Sequence, residues 1–515
     1  MSSKPLILCS LLLAAFAINL DATIVNVALP TLARELHASN SQLQWIVDAY
    51  NLAFAALLLA SGSFSDRVGR KGVLLSGLAL FGLSSTAGGL TTAPGALIVA
   101  RCVMGVGAAL IFPATLSLIA NVFTERTERA RAIGLWGAIA GVAVALGPII
   151  GGWLLERFSW PSIFFAMAPV AAAAGALVAV SVPTSRDPGA PHADPPGFVL
   201  STVAMALLTF TIIEAPEHGW TSTRTLGSAV VAAALLGVFV AWEHRTAEPM
   251  LDITLFRNPR FTASSGSVTI SFFSLFGFIF LITQYFQFIK GYGPLSAGVH
   301  LLPVALSVGV SSVLGTRLAV RYGTKLVVAS GLVAVTAFYA WVATATATTS
   351  YLTIAVQMVL FGTGTGLTTA PATEAIMDVV PAAKSGVGSA VNDATRLLGG
   401  TLGVAVIGSV YASVYGRQLA EKLPPRLPRR LTHAAHESVG AAISVSARLA
   451  EKGQGALAGV VHEAASRAFV DGLSIGCIVA GGVAGVGVLM AVALLPTHPG
   501  GTSRPRVEQP EIAAE

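Results

Sequence analysis

Two ionisable residues stand where hydrocarbon tolerates them least. Asp21 lies inside an apolar run from about 6 to 29, and Arg101 lies inside another from about 97 to 119. A helix of ~20 apolar residues crosses a bilayer. A charged side chain at its centre costs roughly 2.5–3.5 kcal/mol on insertion scales, so such groups face a bundle interior or a wet cavity. The chemistry on offer is reversible protonation: burial disfavours a carboxylate, a guanidinium nearby favours it, and the two together leave a group able to exchange its proton. The competing reading, an acid that snorkels to the headgroups, has to reach past Pro30, two turns further on. The order of the spans puts Asp21 and Arg101 at comparable depth, in the outer halves of the first and fourth.

Other polar residues inside apolar runs carry two readings each. Asp48, in Trp45-Ile46-Val47-Asp48-Ala49-Tyr50, reads equally as a snorkelling acid or as a cavity acid, and Asn26 is a further cavity candidate. Asp393 and Arg396 are three residues apart on one helical face and can neutralise each other as a structural pair. Glu374 ends another run, at its cytoplasmic end. Phe272, Phe276 and Phe280 repeat every fourth residue, a stripe for an apolar ligand or for helix packing. Glu214 and Glu217 read as interfacial acids. His433, His436 and Glu437 are close together, but their order fits no zinc pattern and favours a solvated helix face.

The elements that must position these groups are helices in a membrane. The chain has 515 residues, 54% hydrophobic and 11% charged, against about 25% charged in soluble domains. Its mean hydropathy is +0.75. The net charge of +6 is spread over short loops, which argues against a nucleic-acid partner. Cys9, Cys102 and Cys477 fall in apolar runs and suggest no disulfide framework or metal cluster. The first run is too long for a signal-peptide core and lacks a small-residue cleavage pattern.

Apolar runs of spanning length recur about fourteen times, the first near 6–29 and the last near 469–494. Lys4, Arg67, Arg70, Lys71, Arg126, Arg129, Arg131, Arg257, Arg260, Arg317, Arg321 and Lys325 fall on one face. The short loops of the other face hold Arg34, Arg157, Arg224 and Lys290. Excess Lys and Arg marks the cytoplasm, so both ends of the chain are expected inside.

The second run ends in Gly62-Ser63-Phe64-Ser65-Asp66-Arg67-Val68-Gly69-Arg70-Lys71, a tight loop that reads as a gate. A second copy, Arg321-Tyr322-Gly323-Thr324-Lys325, follows the second run of the C-terminal half and has Val320 where the first has Asp66. The expected organisation is a six-helix half over 6–183, an inserted helix pair over 198–245, a second half over 261–495 and a tail over 496–515. Parallel repeats of this kind place a substrate site near mid-membrane between the halves. In the fifth run Gly137, Gly141 and Ala145 recur every fourth residue, and Gly147-Pro148-Ile149-Ile150-Gly151-Gly152 follows. This predicts a bent helix with one face small enough for close packing. The long outer loop 416–468, with Pro424, Pro425 and Pro428, reads as a solvated, partly helical lid that transport does not need.

The whole pattern resembles the major facilitator superfamily, in its fourteen-span drug:proton antiporter branch. The loop from Gly62 to Lys71, with Asp66, Arg67, Gly69 and Arg70, is similar to the superfamily's signature loop. Leu20 to Pro30 resembles the first-helix motif of the branch. Leu97-x-x-x-Arg101-x-x-Met104-Gly105 resembles its fourth-helix motif, with Met104 where the family favours glutamine. Gly147, Pro148, Gly151 and Gly152 match the antiporter motif of exporters.

The resemblance implies an all-α polytopic membrane protein of major facilitator fold, two six-helix halves plus two inserted helices. It implies Asp21 and Arg101 as proton-coupling residues and a cavity-lining role for the helix of Phe272, Phe276 and Phe280. The expected activity is proton-coupled export of small amphipathic or cationic molecules, acting as a monomer with no cofactor and no metal. A proton-coupled symporter, or an exporter for one metabolite, is the alternative, which the Gly147–Gly152 match argues against. No G-x-x-x-x-G-K-[ST] loop is present to carry nucleotide chemistry.

Overall fold

The computed structural model describes residues 4–186, 194–246, 249, 251, 253–380, 385–423 and 427–496. Residues 497–515 of the expected tail lie outside this range. Among the described residues the chain is helical, without strands. The first half comprises α1 (Lys4–Glu35), α2 (Asn40–Val68), α3 (Arg70–Gly89), α4 (Pro94–Val122), α5 (Arg126–Arg157), and the broken sixth span α6 (Ser162–Phe165) with α7 (Met167–Ser181). The inserted pair is α8 (Pro195–His218) and α9 (Thr223–Glu243). The second half is α10 (Pro259–Gln284), a second broken span of α11 (Pro294–His300) and α12 (Leu302–Tyr322), then α13 (Thr324–Val342), α14 (Tyr351–Val379) and α15 (Ser385–Lys422). Two shorter helices, α16 (Arg429–Glu437) and α17 (Val439–Glu451), precede α18 (Gly455–Leu494).

Among the described residues thirteen spans are long and apolar enough to cross a membrane. The helix α2, 29 residues long, occupies the place of the remaining expected one. Below, the face at which α1 begins is the near face and the opposite one the far face.

Local signals set the ends. Ser39 and Gln42 form a reciprocal capping box at the start of α2. Pro94 takes the first turn of α4, where its missing N–H costs nothing. Gly69 between α2 and α3 has φ 133°, and Gly323 between α12 and α13 has φ 88°. Both angles are open to glycine and strained for other residues, so the repeated loop needs its glycine in both copies.

The inserted pair straddles a seam between the halves. Trp45 of α2 packs on Phe210 of α8 with ring centroids 6.4 Å apart. Ser41 donates to Glu217 across 3.0 Å, and Trp220 donates to Ser413 of α15 across 3.0 Å. Glu217, expected at an interface, is thus held by a hydroxyl of the first half. Among the described residues Glu214 pairs with His218 of its own helix, 3.8 Å away.

The opposite seam corrects the reading of α5. Pro148 has no N–H to give the Val144 carbonyl one turn back, and Thr23 of α1 donates to that oxygen instead, at 3.2 Å. A Cβ on Gly152 would lie 2.5 Å from the Leu295 Cα and 2.6 Å from the Pro294 carbonyl. Gly298 sits as tightly on the Pro148 carbonyl, and Gly147 and Gly151 abut Thr23 and Ile24. Gly137 and Gly141, on the same face as Pro148 and Gly152, have nothing within 4 Å of a built Cβ. The small stripe is therefore packed only in its far part, because the halves meet there and diverge toward the near face.

We expect Gly152→Ala to lower the unfolding midpoint of the purified protein, by an overpacking cost of about 1–3 kcal/mol. Gly137→Ala should match or exceed wild type, since alanine is the better helix former by about 1 kcal/mol. Equal losses in both variants would mean that the near part of this face is also packed.

Other far-side contacts join the halves. Gln287 of the π-helical turn Tyr285–Ile289 donates to the Val27 carbonyl at 2.9 Å. Ser409 donates to Gln44 at 3.2 Å, and the Arg34 guanidinium lies 5.9 Å from the Phe288 ring centre.

The outer loop is not the solvated lid expected. Its α17 buries Val439, Ala442, Val445 and Leu449 in the main core, and Gly440 fits against Phe288 and Ala33. Tyr415 donates to the Ala435 carbonyl at 3.0 Å. The apolar face of α17 is long enough to bury and so does. His433 remains solvated, paired with Glu437 at 3.5 Å, and the described residues hold no metal-ligand cluster.

Candidate functional site

The two charges read from the sequence meet. Asp21 of α1 and Arg101 of α4 are each 1% exposed, with Arg101 Nη1 2.5 Å from Asp21 Oδ2. Arg101 Nε donates to the Ile46 carbonyl of α2 at 2.9 Å. Its guanidinium carbon stands 4.3 Å from the centre of the Tyr50 ring. Tyr50 is itself anchored, donating to the Ile18 carbonyl at 3.0 Å. Two helices thus hold one guanidinium of α4, α1 by charge and α2 by backbone and π-face. Gly105, one turn below Arg101, lets α4 approach α2 closely, since a Cβ there would collide with the Tyr50 carbonyl. A buried pair of this kind is specific in geometry but not strongly stabilising, because desolvation offsets most of the attraction.

Asp48 lies on α2, the helix of Tyr50. It is fully buried, and neither carboxyl oxygen has a hydrogen-bond partner among the described residues. The snorkelling reading fails here, because the side chain is buried inside the bundle. About one turn to each side, Gln44 and Asn51 are buried too, and Gln44 Nε2 and the Asn51 side-chain amide have no hydrogen-bond partner among the described residues. Asn26 is buried on α1, its amide donating back to the Ala22 carbonyl at 3.2 Å.

The second-half candidates separate. Phe272 and Phe276 stack with centroids 6.3 Å apart, whereas Phe280 is sealed in the core. Arg396 and Asp393 share a helical face as expected, but their closest approach is 3.8 Å, too long for a hydrogen bond. Glu374 is exposed near the end of α14, outside this cluster. At the near face Lys71 donates to the Ala179 carbonyl at 2.7 Å, and the Arg70 N–H to the Ser185 carbonyl at 3.0 Å. These bonds tie the repeated loop to the end of the sixth span. A Cβ built on Gly62 would be in ordinary contact with Pro113, and both Arg67 and Arg70 have interaction partners. The side chain of Asp66 lies outside the described residues.

Sequence reasoning passed over Tyr50, Thr23 and Thr373. Tyr50 was findable, since it sits one turn after Ile46 and so shares a face with the carbonyl that Arg101 uses. Thr23 was findable only from the partner of Pro148, which is 125 residues distant by numbering and unpaired in any local pattern.

Two helical halves joined along a seam, with a charge pair buried inside a span, define a multi-pass membrane transporter. The chain belongs to the Major Facilitator Superfamily, whose model matches residues 11–404. It is 36% identical over 398 residues to the Multidrug resistance protein Stp of Mycobacterium tuberculosis, covering 77% of this chain and 74% of that one. It is 34% identical over 478 residues to the Multidrug efflux pump LfrA of Mycolicibacterium smegmatis, covering 92% of each. In fold it is similar to a bacterial homologue of the human lysosomal transporter Spinster, solved inward-facing and occupied. The TM-score is 0.68 at 15% identity, over 96% of this chain and 98% of that one.

Proposed function

We propose that the protein is a proton-coupled antiporter that exports small amphipathic or cationic molecules, drugs and antibiotics among them, across the bacterial cytoplasmic membrane. The observation that carries the coupling is the Asp21–Arg101 contact, a proton-exchangeable carboxylate held entirely inside a span. The relatives' names for drug resistance and efflux support the cargo. The basic loops support a cytoplasmic near face. On that reading the far-side contacts close the outer gate, and the bare near part of α5 faces an inward opening.

The steps follow from the geometry. When the outer side opens, a proton reaching Asp21 cancels its charge and releases Arg101 Nη1. Arg101 stays in place through the Ile46 carbonyl and Tyr50, so the site is preserved for the return. When the inner side opens, the proton leaves and the ion pair re-forms. Asp48, buried without a partner, supplies a second group able to take up a proton. The loop from Gly62 to Lys71 acts as the inner gate, and the Gly147–Gly152 segment as the seam on which the halves rock.

The test is export from a pump-deficient bacterium loaded with ethidium. Expression should speed ethidium loss, and a protonophore should abolish the gain. Export that persists after the proton gradient has collapsed would contradict the proposal.

A further inference from the structure

The molecule holds a second guanidinium inside a span, and its surroundings differ from those of Arg101. Arg101 is sealed, with two hydrogen bonds and the face of Tyr50 around its guanidinium. Arg396 of α15 has a side chain 35% exposed. Its Nη2 donates to Thr373 Oγ1 of α14 at 3.2 Å, and Thr373 in turn donates to Asn392 Oδ1 at 3.0 Å. Its Nη1 is 3.8 Å from Asp393, and its buried Nε has no acceptor among the described residues. Of five N–H donors, one makes a hydrogen bond among the described residues. An arginine left so incomplete in a low-dielectric setting is costly. Its exposed part cannot face lipid without a further penalty. Its neighbours come from α10 (Phe272), α14 (Thr373) and its own α15 (Asp393), and the exposed part of the side chain is the side left open to a ligand.

The second feature is aromatic. The guanidinium carbon of Arg396 lies 5.4 Å from the Phe272 ring centre, and Phe272 stacks on Phe276. A planar donor edge therefore adjoins a flat apolar surface. A ligand that lies on the phenylalanine pair and turns an acceptor edge to Arg396 satisfies both. A bidentate oxygen pair fits the guanidinium fork best.

We propose that Arg396, with Phe272 and Phe276, forms a ligand subsite for the anionic or enolic oxygen edge of a planar aromatic molecule, such as an aryl carboxylate or phenolate. Asp393 is the built-in competitor. Its loose pairing keeps the empty site near neutral and yields to a ligand that bonds the fork directly. The pump then accepts aromatic acids in addition to amphipathic cations. This deepens the export reading and rests on it for the destination of the ligand, though not for binding.

The experiment measures equilibrium binding of the fluorescent aryl carboxylate hydroxynaphthoate to the full chain in lipid nanodiscs, beside the cation ethidium. Wild type should bind hydroxynaphthoate. Arg396→Gln should weaken that binding roughly tenfold or more, the loss expected for charged hydrogen bonds. Arg396→Lys, which keeps the charge without the fork, should also weaken it, and ethidium binding should change little in either. Asp393→Asn should tighten hydroxynaphthoate binding, an effect that a merely structural role would not produce. If Arg396→Gln fails to fold, as judged by its thermal unfolding, Arg396→Lys carries the test. Absence of binding to wild type, or equal affinity in folded Arg396 variants, would overturn the subsite. So would an Arg396-dependent loss confined to ethidium. Failure of proton-driven export with Arg396-dependent binding intact would count against the antiporter reading alone.

Discussion

Asp21→Leu should be among the most destabilising single substitutions in the protein, and adding Arg101→Leu should restore much of the loss. The reason lies in what each change leaves behind. Arg101 is 1% exposed, and its guanidinium does not deprotonate, so removing Asp21 strands a permanent charge in the bundle. Breaking one side of a buried pair costs about 3–5 kcal/mol, while replacing both sides by apolar groups is often neutral. Arg101→Leu is thus destabilising in wild type, where it also removes the bond to the Ile46 carbonyl, and stabilising in the Asp21→Leu background. Chemical unfolding of the four purified proteins in one detergent measures the cycle. Additive losses would show that the two side chains do not act as a pair.

The second large effect is on coupling. Asp21→Asn keeps an oxygen acceptor for Arg101 and the local shape, so it should fold and bind ethidium. It has no exchangeable proton at that position and should lose uphill transport. The expected loss is complete in direction: downhill leakage persists and accumulation against a gradient stops. Each pH unit supplies about 1.36 kcal/mol, and each 100 mV about 2.3 kcal/mol per charge, so one proton drives modest drug gradients in wild type.

Much of this architecture was legible in the sequence because membrane helices announce themselves. Length and apolarity alone located the spans, and the paired loops at Gly69 and Gly323 gave the repeat. Asp21 and Arg101 stood out because charge in an apolar run is costly, and the structure brings them into contact. What was not legible depended on the partner chosen in three dimensions. Helical spacing placed Asp393 and Arg396 on one face but could not tell a tight pair from one 3.8 Å apart. Gly137 and Gly152 look alike in sequence, and only the divergence of the halves separates them. Periodicity grouped Phe280 with Phe272 and Phe276, although one more turn of α10 carries it into the packed core. The outer loop misled because its prolines and short amphipathic stretches resemble solvated sequence. Its apolar face covers residues of both halves.

Asp48 shows the limit from the other side. A carboxylate near the expected end of a span reads equally as interfacial or as interior until its burial is known. Here it is fully buried.

The most direct test of the central claim is export from proteoliposomes of purified protein under an imposed pH gradient, with wild type and Asp21→Asn compared at equal insertion. The account predicts that wild type moves ethidium against its gradient and that Asp21→Asn only equilibrates it. Uphill, pH-driven ethidium transport by Asp21→Asn at the wild-type rate would contradict it.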